Sequence, residues 1–205
     1  MAYRPTEKTE AHKRARNQQL LESAIKVVAR EGFQALTISA VAEEANVATG
    51  TVYKYFESKA ALCTEVFRAG SGREVEQVQA AAFPRARKSC MERLRDAITI
   101  FAERAIAGHR LAYSLIAEPV DPMVEAERLK YRHAYAGIFS SLIEEGIERK
   151  EFAPQDPVAS AAAIVGALAE TLVGPLGIGA PASGKFDQTQ LIDSITTFCL
   201  KAVRA

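Results

Sequence analysis

The chain has 205 residues, of which 48% are hydrophobic and 25% are charged, as in an ordinary globular protein. Its net charge of +1 excludes a global attraction to nucleic acid or membrane, so any such binding must come from a local patch. The three cysteines share no metal-ligand spacing with one another or with a histidine, so we expect buried thiols and no metal site. The N-terminal segment lacks the apolar run of a signal peptide, which indicates a cytoplasmic protein.

The first 60 residues carry the signals of short helices. Apolar residues repeat at helical spacing over about residues 13 to 31, namely Leu21, Ala24, Ile25 and Val28. Gly32 ends this helix, and Phe33 is expected to fold back on Val28 in a Schellman arrangement. Thr37 is suited to cap a second helix.

A tight turn follows the second helix, since Asn46 tolerates the left-handed conformation. A third helix is predicted from about Thr49 to Tyr55, and Ser58 caps a longer fourth one. Two short helices joined by a tight turn and braced by a longer helix are typical of a helix-turn-helix.

The remaining sequence predicts a larger helical bundle with no alternating strand pattern. Its expected helices are an amphipathic segment after Pro84 that ends at Gly108, then 109–118, 122–149, 157–173 and 187–203. We therefore predict an all-α protein of about nine helices, with a helix-turn-helix domain at residues 1–60 and a second domain at residues 61–205.

One stretch has the length of a membrane span. Between Val158 and Gly184 the sole charged residue is Glu170. Several Gly and Pro residues interrupt this stretch before it reaches the roughly 20 apolar residues that a spanning helix needs. We expect a buried helix of small residues followed by a loop, and no membrane association. A carboxylate among apolar residues is costly to bury unpaired, so Glu170 should have a partner in a dimer interface or a ligand.

The third helix divides into a packing face and a contact face. Val52 and Phe56, four residues apart, are expected to fill the core. The side chains left outside that contact suit the grooves and phosphates of DNA: Thr49, Thr51, Tyr53, Lys54 and Tyr55. Gly50 lets the backbone approach a partner closely, and Lys59 adds a cation beside a helix N-terminus.

The N-terminal arm concentrates positive charge beside this surface. Residues 1 to 30 contain seven Lys or Arg and three Glu, so 7 − 3 gives +4, whereas the whole chain carries +1. A local basic patch is what DNA binding requires.

The segment LLESAIKVVAREGFQALTISAVAEEANVATGTVYKYFESKAAL resembles the N-terminal domain of the TetR family of transcriptional regulators. The similarity spans about residues 13 to 65 and includes the Gly32–Phe33 turn, Thr49–Gly50, Tyr53 and Lys59. It implies that the third helix reads the major groove of a pseudo-palindromic operator. Tyr53 and Lys59 would then hold phosphates, Thr49, Gly50, Thr51 and Lys54 would face bases, and Thr37 and Ser39 would touch backbone or flanking bases. Tyr55 departs from the histidine frequent there, so its contact stays open.

The same resemblance implies a homodimer and an enclosed small-molecule pocket in the C-terminal domain. The expected interface helices are 157–173 and 187–203, although the first could instead lie at the centre of one subunit. Candidate ligand-binding residues are His109, Tyr113, Tyr131, Tyr135, Phe139 and Glu170, while the aromatic ones could equally belong to the core. Glu118, Arg128 and Arg132 could bind a polar group of the ligand or form exposed ion pairs.

No catalytic triad, phosphate loop or metal motif is present, so we expect no enzymatic activity and no cofactor. The predicted function is a ligand-responsive repressor that leaves its operator when a small-molecule effector binds, with repression inferred from the family alone. The alternative is an all-helical scaffold or protein-interaction module. The effector, the operator sequence, the regulated genes and whether two or four chains bind one operator stay open.

Overall fold

The structure, a computed structural model, describes residues 7–177 and 187–204. Arg4 of the basic arm and most of the Gly/Pro segment lie outside these residues. Within them the chain forms nine α-helices and no strand, apart from one isolated bridge between Phe152 and Arg204. The predicted all-α class is confirmed. The helices are α1 (Glu7–Glu31), α2 (Ile38–Glu44), α3 (Thr49–Tyr53), α4 (Lys59–Ala82), α5 (Cys90–Gly108), α6 (Arg110–Ile116), α7 (Pro122–Glu148), α8 (Pro157–Leu176) and α9 (Gln188–Val203).

Two helices extend beyond their expected ends. Helix α1 begins at Glu7, about a turn and a half earlier than predicted, with two acidic residues in its first turn that complement the helix dipole. Helix α8 continues to Leu176 and includes Pro175 in its last turn. Leu172 and Leu176 are buried there against α5, and this burial offsets the backbone hydrogen bond that Pro175 cannot donate.

The turn after α1 differs from the expected Schellman arrangement. Gly32 adopts φ +88° and donates its N–H to the Val28 carbonyl at 2.8 Å, the single bond of an αL C-cap. The second bond of a Schellman arrangement, from the Phe33 N–H to the Val28 carbonyl, is not formed. The Phe33 N–H donates instead to the carboxylate of Glu118 at 3.1 Å. Asn46 has φ +52°, as its place in the helix-turn-helix requires.

The helices enclose two main hydrophobic cores, and α4 belongs to both. In the N-terminal core, α1, α2 and α3 pack on Leu62, Val66 and Phe67 of α4. In the C-terminal core, Val78 and Ala82 of the same helix pack with α5, α7, α8 and α9. The domain boundary predicted at residue 60 stays a prediction, since α4 runs through it without a break.

The three cysteines are buried and free, as expected. Burial raises the pKa of the Cys63 thiol to about 11 and that of Cys199 to about 11. Within the described residues no group of three His, Cys, Asp or Glu side chains is placed to hold a metal ion.

A nearly buried ion pair fastens α5 to α7. Arg93 donates two hydrogen bonds of 2.7 Å to the carboxylate of Glu145 and a third of 2.8 Å to the Ala82 carbonyl at the end of α4. The Arg93 side chain is 10% exposed and that of Glu145 is 35% exposed. Hydrogen bonds from Arg93 hold the pKa of Glu145 down at about 2. Three helices are therefore joined at one guanidinium.

Replacing Glu145 by Gln should lower the free energy of unfolding by roughly 1 to 2 kcal/mol, the low end for charge-assisted hydrogen bonds because Glu145 is partly exposed. A carboxylate whose folded pKa is depressed stabilises the fold above its unfolded pKa. The difference between parent and variant should therefore be constant above about pH 5 and shrink as pH falls toward 2. Urea unfolding at several pH values measures this. Glu144→Gln, on the exposed side of the same helix turn, is the control and should show no such difference.

Candidate DNA interface and effector cavity

Helix α3 separates its side chains as the sequence predicts. Val52 and Phe56 are 0% and 4% exposed and belong to the N-terminal core. Thr49, Gly50 and Lys54 are exposed, and Tyr53 is 56% exposed. A Cβ at Gly50 would meet no atom within 4 Å, so the backbone there is open to a partner. Thr49, Gly50, Tyr53 and Lys54 are therefore open to a partner.

Four of the predicted contact residues are partly engaged within the protein. Thr37 caps α2 by accepting the Ala40 N–H at 3.0 Å, and its hydroxyl lies 3.0 Å from that of Ser39. Tyr55 is half-buried and packs against the N-terminal core. The ring of Tyr55 thus lies on the border between the packing face and the contact face, and Thr51 is likewise half-buried.

Cations surround the exposed face of α3. Lys59 is the first residue of α4, where Ser58 caps the helix by accepting the Ala61 N–H at 3.1 Å. Lys54 and Lys59 are exposed and make no ion pair within the described residues. Arg30, by contrast, is paired with Glu31 and Glu44, so it contributes no free charge. Lys54 and Lys59 are therefore the cations beside α3 that are free to meet phosphates, and the exposed basic residues of α1 add to the positive charge of the N-terminal part.

A cavity of about 100 Å³ lies at the centre of the C-terminal domain, among α4, α5, α6, α7 and α8. Its wall is mainly apolar, and the main contributors include Phe67, Val78, Phe101, Leu115, Ile116 and Val165. The polar members of the wall are Ser71, the pair Glu74–Arg104, and Arg128, Tyr131, Arg132 and Tyr135.

The structure brings two of the six predicted ligand-binding residues to this cavity. Tyr131 and Tyr135 line it, and they lie on α7 one helical turn apart. Burial raises the pKa of Tyr135, whose ring packs edge-on against Phe101 at 5.1 Å. The Tyr135 hydroxyl makes no hydrogen bond among the described residues, so it is available to a ligand oxygen.

The other four candidates lie elsewhere. Phe139 is completely buried in the C-terminal core and does not reach the cavity. His109 is exposed between α5 and α6, in a left-handed conformation with φ +33°. Tyr113 lies outside the cavity wall. It packs against the small cluster that contains Leu172, and the guanidinium of Arg110 lies over its ring. Glu170 is exposed on α8, and its expected partner in a dimer interface or a ligand stays a prediction.

Glu118 and Arg128, for which exposed ion pairs were one possibility, are both buried. Glu118 is 2% exposed and Arg128 is 6% exposed. Arg128 donates to the carbonyls of Leu115 and Glu118 at 3.0 and 2.6 Å, and Glu118 accepts two N–H groups from the turn after α1. No local pattern could have revealed these contacts, because Glu118 meets partners 84 and 85 positions away.

Helices α8 and α9 present an uncovered face. By length and apolar composition α8 could cross a membrane, and 22% of its apolar window is buried within the chain. Its outer side carries Val158, 69% exposed, and a line of small residues that includes Ala162, Gly166 and Gly174. Phe198 of α9 is 61% exposed. Exposed apolar faces of this kind mark sites of association.

The fold, with its exposed helix-turn-helix and a cavity among the helices that follow it, defines a DNA-binding regulator. The family described as "Bacterial regulatory proteins, tetR family" matches residues 20–66, and that described as "Tetracyclin repressor-like, C-terminal domain" matches residues 87–172. The chain belongs to the TetR family. It is a ligand-responsive DNA-binding transcriptional repressor and not an enzyme, as its sequence predicted, and the alternative of a scaffold without DNA binding is excluded.

Individual relatives agree with this assignment. The "Fatty acid metabolism regulator protein" of Bacillus subtilis is 26% identical over 141 residues, which are 68% of this chain and 72% of that protein. The fold resembles that of the transcriptional regulator FadR from Bacillus subtilis in complex with stearoyl-CoA, with a TM-score of 0.76, 22% identity, and 91% of this chain and 99% of that chain covered. It also resembles AibR in complex with isovaleryl coenzyme A and operator DNA, with a TM-score of 0.66, 16% identity, and 89% and 97% covered.

The predicted partners, namely operator DNA, a second copy of the chain and a small-molecule effector, are those of the family. A cytoplasmic location is general for such regulators.

Replacing Lys59 by Ala should weaken operator binding across sequences and reduce the slope of log affinity against log salt by about one unit, the effect of losing one phosphate contact. Fluorescence anisotropy with a labelled fragment of the gene's own upstream region, titrated at several salt concentrations, measures both quantities. Lys88→Ala removes an equal charge from the loop before α5 and serves as control. Equal salt slopes for parent and Lys59→Ala would remove Lys59 from the interface.

Proposed function

We propose that the effector of this repressor is an acyl-coenzyme A, and that its binding in the C-terminal cavity releases the operator. The observation that carries this proposal is the chemistry of the cavity, whose mainly apolar wall also contains Arg104, Arg128 and Arg132. An apolar wall suits the acyl chain of such a ligand. Guanidinium groups and the unpartnered Tyr135 hydroxyl suit a thioester oxygen or phosphates. The acyl-CoA complexes of the two structural relatives support the same class.

The small size of the cavity indicates that the surrounding helices rearrange when the ligand binds. Ligand sites usually measure about 300 to 1,000 Å³, several times the space of about 100 Å³ present here. An acyl-coenzyme A therefore enters only if the helices around the cavity move apart. Movement of the wall is what a regulator needs if its ligand is to change the conformation of a distant domain.

On the DNA side, we assign the contact face of α3 and its neighbours the following roles. Tyr53 and Lys59 hold phosphates, and Thr49, Gly50, Thr51 and Lys54 face the bases. Thr37 and Ser39 touch the backbone or flanking bases, since whichever hydroxyl accepts in their mutual contact keeps its own O–H free to donate to a phosphate. Tyr55 offers its hydroxyl at the edge of the same surface. The exposure of this face, its free cations and its place in a helix-turn-helix support these roles.

We assign dimerisation to the outer face of α8 and α9. Two copies joined there would present two α3 helices to successive major grooves about 34–36 Å apart, on a pseudo-palindromic operator. Exposed Phe198 and the small residues of α8 support this assignment, because small residues let two helices approach closely. The effector-binding and dimerisation unit then corresponds to residues 61–205 and the DNA-binding unit to residues 1–60, in a cytoplasmic protein.

An acyl-coenzyme A should release the operator, whereas coenzyme A without an acyl chain should not, since only the acyl chain fills the apolar part of the cavity. The measurement is anisotropy of the labelled upstream fragment with stearoyl-CoA, isovaleryl-CoA, free coenzyme A and free stearate. We expect at least about a fivefold loss of operator affinity with one of the thioesters, the low end of usual allosteric couplings. Operator binding that is unchanged by both thioesters, or equally reduced by free coenzyme A, would contradict the proposed effector.

Replacing Phe198 by Glu should convert the dimer to monomer, because a carboxylate would have to be buried unpaired in the proposed interface. Sedimentation velocity at micromolar concentration reports the change. Met123→Glu is the matched control, since Met123 is 59% exposed on α7 and a carboxylate in the first turn of a helix is favourable. If Phe198→Glu sediments with the parent, the interface lies on another face.

A further inference from the structure

Helix α6 lies between the cavity and the helix-turn-helix domain. Its residues Leu111, Leu115 and Ile116 line the cavity. Two residues at its ends, Arg110 and Glu118, contact the turn that follows α1. Any displacement of α6 by a ligand must therefore act on those contacts.

Glu118 and Arg110 bind the turn after α1 through a set of polar contacts, which we call the Glu118 joint; it is closed when these contacts are made. Its carboxylate accepts the N–H groups of Phe33 and Gln34 at 3.1 and 3.3 Å, which lie just beyond the end of α1. Arg110 donates to the Glu31 carbonyl at 2.9 Å and lies 3.8 Å from the same carboxylate. A Cβ on Gly32 would come within 2.3 to 2.7 Å of Arg110 and Glu118, so the joint has no spare room.

Arg128 holds the other side of this joint and at the same time borders the cavity. Its guanidinium donates to the carbonyls of Leu115 and Glu118 at the C-terminal end of α6, where the helix supplies no N–H group. It also pairs with Glu125 on α7 and lies over the ring of Phe67, 5.8 Å from the centroid. One buried side chain thus faces both the ligand space and the backbone that positions Glu118.

We propose that Arg128 senses the ligand and that Glu118 transmits its presence to the helix-turn-helix. A ligand oxygen beside Arg128 competes with the α6 carbonyls for the guanidinium. The end of α6 then moves, and Glu118 loses its hold on the N–H groups of Phe33 and Gln34. The sensing step rests on the proposed acyl-coenzyme A effector, whereas the Glu118 joint does not depend on which ligand binds.

The operator and the ligand prefer different states of the Glu118 joint. The closed joint is the state that binds the operator, and the ligand has to favour the open state, because equal affinity for both states would shift nothing. Breaking the joint by mutation should therefore imitate the ligand. Operator affinity should fall without any ligand, and the ligand should have little further effect.

The test compares Glu118→Gln with Glu144→Gln. Both changes remove one carboxylate, but Glu144 is exposed on α7 and has no part in the joint or in the contacts of Arg128. For Glu118→Gln we expect about a tenfold loss of operator affinity and less than about a twofold further loss with saturating stearoyl-CoA. Glu144→Gln should keep the parent's affinity and the parent's response.

Two additional measurements keep the result interpretable. Hydrogen exchange at the amides of Phe33 and Gln34 should accelerate in Glu118→Gln, in the absence of DNA and ligand, and not in Glu144→Gln. Arg110→Gln, at a partly exposed position of the joint, should give an intermediate loss of operator affinity and covers the case that Glu118→Gln fails to fold. Arg128→Lys keeps the charge but not the fork of donors, and should reduce the response to stearoyl-CoA.

The outcomes separate the joint from the effector. Parent-like operator affinity and parent-like exchange in both Glu118→Gln and Arg110→Gln would overturn the joint. Altered affinity in these variants, together with no effect of any acyl-coenzyme A on the parent, would retain the joint and refute the proposed effector. A parent-like response of Arg128→Lys to stearoyl-CoA would overturn the sensing role of Arg128.

Discussion

Helix α4 is buried in two hydrophobic cores at once, and the relation between the two domains depends on this. Leu62, Val66 and Phe67 pack with the helix-turn-helix, while Val78 and Ala82 lie about three to four turns further on in the C-terminal core. Protein interiors are close-packed, so neither end of the helix is free to shift without disturbing its surroundings. The helix-turn-helix therefore changes its position relative to the C-terminal domain chiefly when α4 itself moves.

Phe67 is the point at which the cavity and the N-terminal core meet. Its ring lies 6.0 Å from that of Phe33, which follows the Gly32 turn, and 6.0 Å from that of Tyr131 on the cavity wall. Arg128 sits over the same ring. An apolar contact through Phe67 and a polar one through Glu118 thus run side by side from the cavity to the turn after α1. A displacement of the cavity wall therefore acts on the turn after α1 through both contacts.

The fold could be predicted well from sequence because its signals act over a few residues. Thr37, Ser58, Asp121 and Asp156 each cap a helix by accepting N–H groups two or three positions ahead, and the structure shows each of these bonds. The separation of Val52 and Phe56 from Tyr53 follows from helical periodicity alone. The cavity and the Glu118 joint could not be predicted in this way, because their members come from helices far apart in sequence.

The placement of Phe139 shows where periodicity reaches its limit. Residues four apart on a helix are offset by about 40°, so Tyr131 and Phe139 differ by about 80° in direction. Tyr131 therefore faces α4 and the cavity, whereas Phe139 faces the core beneath. Sequence spacing identified the aromatic stripe correctly, but not the point along it at which the cavity ends.

The small cavity also constrains the energetics of regulation. A ligand that must separate α6 from its neighbours has to supply the free energy of that separation from its own contacts, so its observed affinity is lower than those contacts alone would allow. In the mechanism we propose, operator binding stabilises the closed arrangement, and by linkage it weakens the ligand by the same factor as the ligand weakens the operator. The tight packing around Gly32 and Glu118 therefore sets a threshold, since the protein leaves its operator only for a ligand whose contacts exceed the cost of opening the joint.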